Sequence, residues 1–366
     1  MKATDRVYVD VHVLQTVPPS CINRDDTGSP KTAVYGGVTR ARVSSQSWKH
    51  AVRNTFKDMF DDDELAKRTK KVAAMVANEI EKIDSDADAG DLASKICEAA
   101  GFKMKGSGKD DNKVKQLDAL FFMSNAQARA LAHLAVEDPD IFKGGKEAKE
   151  KLHNALADNP GIEIALFGRM VADDPTLNTD ACAQVAHCIS THKVETQYDY
   201  FTAVDDMTAD DNSGAAHLGT VEYDSATLYR YATIAVHQLY SYLDDDTPEA
   251  TAKFVDAFVK SMPTGKQNTF ANRTLPDAVI VTIRNDQPVN MAGAFEKAIF
   301  AGSNGYAEPS AKRLTEYAEE TYNDFAAPPM LTFATGKILP DEIETMNFNE
   351  LIGNLQSELS EILAEE

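Results

Sequence analysis

Val7, Val9, Val11 and Val13 alternate with Tyr8, Asp10, His12 and Leu14. A two-residue period is the mark of a β-strand, and it sends the four valines to one face that must be covered. Such a strand cannot stand alone, so the chain must contain a sheet-built core. A second strand is expected at residues 278–284, AVIVTIR. Between the two, from about residue 62 to 160, apolar residues recur at helical spacing over 64–83, 114–136 and 145–157. The expected class is α+β, a sheet-containing core with a helical block inserted between its parts.

Residues 15–35, rich in Pro, Asn, Asp and Gly, read as a long loop, and GSGKDDNK at 106–113 as a break. Helices are expected around 179–191, at 248–261 with Thr247 as cap and Pro248 in the first turn, at 290–300 and at 309–324. The tail, 341–364, is acidic and amphipathic. With 366 residues, 43% of them hydrophobic, the chain is long enough for two or three structural units. The first residues lack the apolar stretch of a secretory signal, and no apolar run suits a bilayer, so no membrane partner is expected. Cys21, Cys97, Cys182 and Cys188 are irregularly spaced, with no CxxC, which fits a reducing cytoplasm.

Charge is uneven. The chain carries a formal net charge of −21, yet residues 24–57 hold seven basic side chains (Arg24, Lys31, Arg40, Arg42, Lys49, Arg53, Lys57) against Asp25 and Asp26. That segment is +5 and the rest −26. Bulk acidity argues against indiscriminate coating of nucleic acid, and makes the cationic island stand out. Within it, GGVTRARVSSQSWKHAVRNTFK (36–57) reads as a glycine turn, a strand, a serine-capped start at Ser44 or Ser45, and a helix. Arg40 and Arg42, two apart, are expected on one strand face. Lys49, Arg53 and Lys57 recur every four residues along one helix side, with Trp48, Val52 and Met59 on an apolar side. A helix start beside a cationic stripe suits phosphates.

Catalytic motifs fail on inspection. Gly265-Lys266 resembles a phosphate-binding loop, but Lys260 stands where its first glycine belongs and Gln267 where it needs Ser or Thr. No GxGxxG follows a strand and no G-x-S-x-G is present. Cys188 and His192, with His187 and Cys182 nearby, have helical metal-ligand spacing, but a packed helix accounts for them better. Asp25-Asp26 could hold a metal ion against RNA; loop hydrogen bonding and pairing with Arg24 is the plainer account. No cofactor is expected. A long hairpin is expected over 194–236. Tyr198, Tyr200 and Phe201 lie on one arm, Tyr223, Tyr229 and Tyr231 on the other, and a polar tip bears His217. Such aromatics can pack in a core or wedge between bases.

Taken together, these segments resemble one family: the crRNA-binding backbone subunit of the type I-E CRISPR surveillance complex Cascade, the CasC type. The residues carrying the resemblance are SCINRDD (20–26), YGG (35–37), RVSSQSWK (42–49), IALFGRM (164–170), FTAVDD (201–206), AHLGT (216–220), YRYA (229–232), GKQNTF (265–270) and MAGAFEKAI (291–299). They run in order from about residue 7 to 325.

The resemblance implies a modified RNA-recognition-motif (ferredoxin-like) palm, a helical fingers insertion and a β-hairpin thumb. Residues 1–60 are then the first palm part, 61–160 the fingers, 161–193 the second palm part, 194–232 the thumb, and 233–366 the third palm part with C-terminal helices. It implies a non-catalytic scaffold that stacks with copies of itself along crRNA and presents the guide to target DNA, beside subunits of the CasA, CasB, CasD and CasE types. On this resemblance, Arg24, Arg42, Ser44, Gln46, Lys49, Arg53 and Lys266 contact guide phosphates and Met170 supports a stacked base. Phe201 and Leu218 meet displaced nucleotides. Lys143 and Lys146, in a lysine-rich run interleaved with glutamates, attract DNA. Where this family often has further basic residues the chain has His50 and Val38-Thr39. The aromatic signature of a standard RNA-recognition sheet is missing, so backbone contacts are expected to hold the RNA. The competing reading is a metal-dependent RNA endonuclease using Asp25 or Asp26, as in type III backbone subunits.

Overall fold

The computed structural model describes residues 6–105, 114–171, 174–202 and 218–364. In chain order the elements begin β1 (Tyr8–Ser20), β2 (Thr32–Tyr35), β3 (Val38–Val43), α1 (Ser45–Phe56), β4 (Ala66–Thr69), α2 (Val72–Ile83) and α3 (Ala89–Ala99). They continue with β5 (Met104–Lys105), β6 (Gln116–Leu117), β7 (Phe121–Ser124), α4 (Asn125–Glu137), α5 (Lys146–Ala157), α6 (Ile162–Phe167), β8 (Ala183–Val185) and β9 (Cys188–Ser190). The last are β10 (Gln197–Thr202), β11 (Leu218–Ala235), α7 (Val236–Leu243), α8 (Thr247–Lys260), α9 (Gln267–Phe270), β12 (Ala278–Arg284), α10 (Ala307–Asp324), β13 (Leu331–Thr335) and α11 (Phe348–Ala364). The class is mixed α+β. No helix among the described residues is long and apolar enough to cross a membrane.

Two compact units divide the chain. The first gathers 1–55, 184–237 and 251–366; the second, 56–183 and 238–250. The first is built on a sheet ordered β13-β12-β1-β11-β9-β3-β2, with β8 and β10 also paired to β11. β1 lies between β11 and β12, antiparallel to both. The valine face is buried, Val9, Val11 and Val13 completely. The alternate face is buried too, and its polar groups are satisfied there. Asp10 accepts from the Tyr231 hydroxyl at 2.8 Å and the Val289 amide at 2.8 Å, and His12 Nδ1 lies 2.9 Å from the Tyr229 hydroxyl. Burial drives the His12 imidazole down to about 3, so the ring is neutral.

Beneath α1, Arg230 of β11 is buried with its guanidinium 3.7 Å from the Trp48 ring centroid. It donates to Gln15 Oε1 at 2.6 Å and to the Phe258 carbonyl. A cation with no carboxylate to meet is here held by a π face and neutral oxygens.

The second unit packs α2–α5 around Val76, Ile80, Ile96, Leu131, Leu152 and Leu156. Ser124 and Gln127 form a capping box at the start of α4. Arg169 is buried and donates to the carbonyls of Leu177, Phe122 and Leu156, and burial pulls it down to about 10.

Several expected elements change. The stretches preceding α2 and α4 are not helical: Ala66–Thr69 and Phe121–Ser124 pair as antiparallel strands, because the Ser124 cap sets the helix start after the aromatics. Residues 179–191 hold β8 and β9, not a helix. The supposed 15–35 loop narrows to residues 21–31, since β1 runs on to Ser20 and β2 begins at Thr32. The helix expected over 290–300 is a single 3₁₀ segment, Met291–Phe295.

Candidate nucleic-acid interface

In the first unit, segments far apart in sequence meet around the start of α1. Asn23 Oδ1 accepts from the Ser44 amide at 2.8 Å, fixing the 21–31 loop to the residue before the helix. The Lys31 amide donates to the Asn23 carbonyl and the Arg42 amide to the Lys31 carbonyl, at 2.9 and 2.8 Å. Residues 264–270 join from the other end of the chain. Gly265 sits against the Cys21–Ile22 backbone so closely that any Cβ there would collide with the Ile22 carbonyl. Lys266, in a left-handed turn at φ 44°, and Arg24 both act electrostatically on Cys21, whose thiol burial pushes up.

The first unit thus brings Arg24, Arg42, Ser44, Gln46 and Lys266 to one neighbourhood. Lys49 and Arg53 share a side of α1 one turn apart, both half-buried, while Gln46 and Arg24 are exposed and Ser44 is buried. Phe201 lies in β10 opposite Gly219, and its ring covers the space a Cβ on Gly219 would take. All six residues of β10 are exposed, Tyr198 and Tyr200 among them. Leu218 pairs with Thr202 at the start of β11. The hairpin tip with His217 lies outside the described residues, as do Lys109 and Lys113.

Met170, 86% exposed, and the lysine run belong to the second unit. There Lys143 pairs with Asp140 at 2.5 Å, Lys146 opens α5 exposed, and Lys151 meets Asp138 and Glu147.

Two expectations are corrected. Arg40 shares a strand with Arg42 but not its surroundings. It is fully buried and donates to the carbonyls of Tyr35, Ser190, Phe295 and Glu296. With four oxygens around it, Arg40 clips the β2–β3 turn to the 291–296 segment. Gly36, at φ 58°, allows that approach, since a Cβ would meet the Glu296 carbonyl. Cys188 and His192 do not share a helix face: Cys188 lies in β9, and His192 Nε2 accepts from the Thr227 amide at 3.1 Å.

Asp25 Oδ1 accepts from the Thr27 hydroxyl at 2.7 Å and the amides of Thr27 and Ser29 at 2.9 and 3.0 Å. The Thr27 hydroxyl is the main reason its carboxyl is held below the usual range.

Sequence reading missed Asp224 and weighed His187 only beside a possible metal pair, not beside Arg42. Asp224, opposite Ser20 where the β1–β11 register shifts, is 9% exposed and lines a recess with Asn23, Lys31 and Arg42. Its Oδ2 has no hydrogen-bond partner, and burial raises the carboxyl to about 6. An acid inside the β-prone run YDSATLYRYAT was the available signal. His187 was hidden by the false helix; its Nδ1 lies 3.3 Å from Nη1 of Arg42.

Comparisons with known proteins cover nearly the whole chain. Residues 9–360 match the model of a family described as CT1975-like protein. The chain is similar to one in a solved CRISPR RNA-guided surveillance complex, pre-nicking, at 31% identity and TM-score 0.80, over 96% of this chain and 99% of that one. It is also similar to a chain of another CRISPR RNA-guided surveillance complex, at 26% identity and TM-score 0.61, again over 96% and 99%. No curated protein matches.

Proposed function

The chain belongs to the CT1975-like protein family, and from that footing we propose that it is a guide-RNA-binding backbone subunit of a Cascade-type CRISPR complex, of the type I-E CasC kind. Several copies stack along one crRNA and present it to target DNA in antiviral defence. In this reading the first unit is an RNA-recognition-motif-like palm, β10 and β11 form the thumb, and the helical unit supplies the fingers. The carrying observation is the junction at the start of α1. Residues 21–31, 42–46 and 264–266 are tied together by the Asn23–Ser44 hydrogen bond and the Gly265–Ile22 approach. Backbone amides, a helix start and Arg24, Arg42, Lys49 and Lys266 gather there without a base-reading aromatic sheet. That combination suits phosphates and accepts any guide sequence.

The exposed aromatics of β10 support the thumb assignment, since an apolar arm left in water gains from meeting nucleotides or a neighbouring subunit. The subunit is proposed to be non-catalytic. Asp25 is engaged with Thr27 and Ser29, which suits a loop-shaping role more than a metal-binding one. The protein works in the cytoplasm with subunits of the CasA, CasB, CasD and CasE types.

Expression with its operon neighbours tests the reading: a discrete short RNA should co-purify with the assembly. Purification free of RNA, or Mg²⁺-dependent cutting of guide-paired RNA lost in Asp25→Ala or Asp26→Ala, would replace it, the latter by the endonuclease.

A further inference from the structure

This inference rests on the guide-RNA reading. β9 runs antiparallel to β3, with Arg42 opposite Ile189 and Val43 opposite Cys188. His187 directly precedes β9, and Ser44 follows the Val43–Cys188 pair immediately before the twelve-residue helix α1. His187 is exposed, and its Nδ1 lies 3.3 Å from Nη1 of Arg42. A neutral ring accepts that hydrogen bond; a protonated one would set two donors face to face. Partial burial, then Arg42, then Lys31 hold the imidazole below its ordinary range, so both charged groups acting on it are cations. Arg42 also donates through Nε to the Thr32 carbonyl at 3.2 Å, which holds its guanidinium beside the ring. Three basic side chains gather next to a helix start, Lys31 and Arg42 lining a recess whose one acid, Asp224, is buried, an arrangement suited to an incoming anion.

We propose that Lys31, Arg42 and His187 form a seat for one phosphodiester of the guide RNA, in which His187 takes up a proton from solvent as the phosphate arrives. No bond in the RNA is made or broken. The imidazole gains one proton and one charge-assisted hydrogen bond, and Arg42 turns its fork from the ring to a phosphate oxygen. Free, the ring is neutral near pH 7; bound, the phosphate stabilises the imidazolium. RNA affinity therefore rises as pH falls between the bound and free values, by at most about tenfold per pH unit for one proton.

Other groups must be separated from this effect. Asp224 of β11 lines the same recess as Lys31 and Arg42 and titrates in the same window. His50, on α1, is exposed. The experiment therefore uses the full chain carrying Asp224→Asn, and measures binding of a labelled mixed-sequence single-stranded RNA at fixed salt. With His187 present, affinity should rise several-fold from about pH 8 to about pH 6. His187→Gln should abolish that rise and lower the salt slope at the acid end by about 0.7. His187→Arg should bind at the acid-end level at both pH values, which separates a charge at this position from a merely structural role. A pH dependence unchanged by His187→Gln, or one removed by His50→Gln instead, overturns the phosphate seat and leaves the guide-RNA reading standing. A chain that binds no RNA at either pH overturns both.

Discussion

Two regions of this chain are rich in lysine and arginine, and their acids differ. In the helical unit many basic side chains are paired with acids. Lys82 meets Glu79, Lys95 meets Asp91, Lys105 meets Asp118, Lys115 meets Glu98, Lys143 meets Asp140, and Arg129 meets both Asp63 and Glu79. Within the sequence of residues 24–57 there are seven basic side chains and two acids, one of which, Asp25, is occupied by its own loop. Exposed pairs of the first kind contribute little to stability, but they cancel the local field. The same residue types therefore stand beside acids in one place and, in the proposed reading, are left to meet phosphates in the other. Counting lysines alone would have ranked the helical unit first.

Deleting 199–222 gives the largest expected effect on that contrast. Residues 218–223 pair with β10, whereas β1 pairs with β11 from Asp224 onward, so the core ladder survives the deletion. The subunit should fold, shown by an unchanged cooperative melt, but electron microscopy should find no ordered assembly. Ordered assemblies without the hairpin would show that the cationic junction suffices.

Lys49→Ala with Arg53→Ala comes next. RNA affinity should drop by roughly tenfold or more for all sequences alike, with the salt slope reduced by about 1 per lost contact. A slope equal to wild type in a salt titration would end the special status of α1.

Asp224→Asn is the third. An acid whose folded value, about 6, exceeds its unfolded one destabilises the fold once ionised. Stability is then highest below about pH 4, declines as pH rises toward about 6, and stays level above. The variant should lack this decline and be more stable at neutral pH by about 3 kcal/mol. Denaturant melts across pH check both points.

The smallest effect belongs to Lys143→Glu with Lys146→Glu. DNA association should slow by about a few-fold at low salt, with guide-RNA content unchanged. Stopped-flow rates equal to wild type would mark that surface as inert, which the Lys143–Asp140 pair already favours.

The sequence made the ends of the sheet legible and obscured its middle. AVIVTIR is a strand over its predicted bounds, and a helix does open at Thr247-Pro248, although Thr247 is already helical there and its buried hydroxyl caps nothing. β8 and β9 are three residues each, too short to show a period, and the spacing from Cys188 to His192 imitates a helix face. Hence His187 went unseen beside Arg42. Arg40 was misjudged for another reason. Alternation assigns a side chain to a face, but burial depends on carbonyls more than a hundred residues away, at Ser190 and Phe295. Lys49 and Arg53 do stand on a helix, because a local four-residue spacing needs no distant partner.

β11 has a mechanical consequence. Its eighteen residues extend roughly 60 Å, with one end clamped between core strands and the other supporting β10. It is a cantilever whose root is the sheet. Force applied to the hairpin must bend the beam where the β1 register shifts, at Asp224, instead of swinging a slack loop. Load on the hairpin would therefore pass directly into the core, and Asp224, whose Oδ2 lacks a partner, marks where the beam bends.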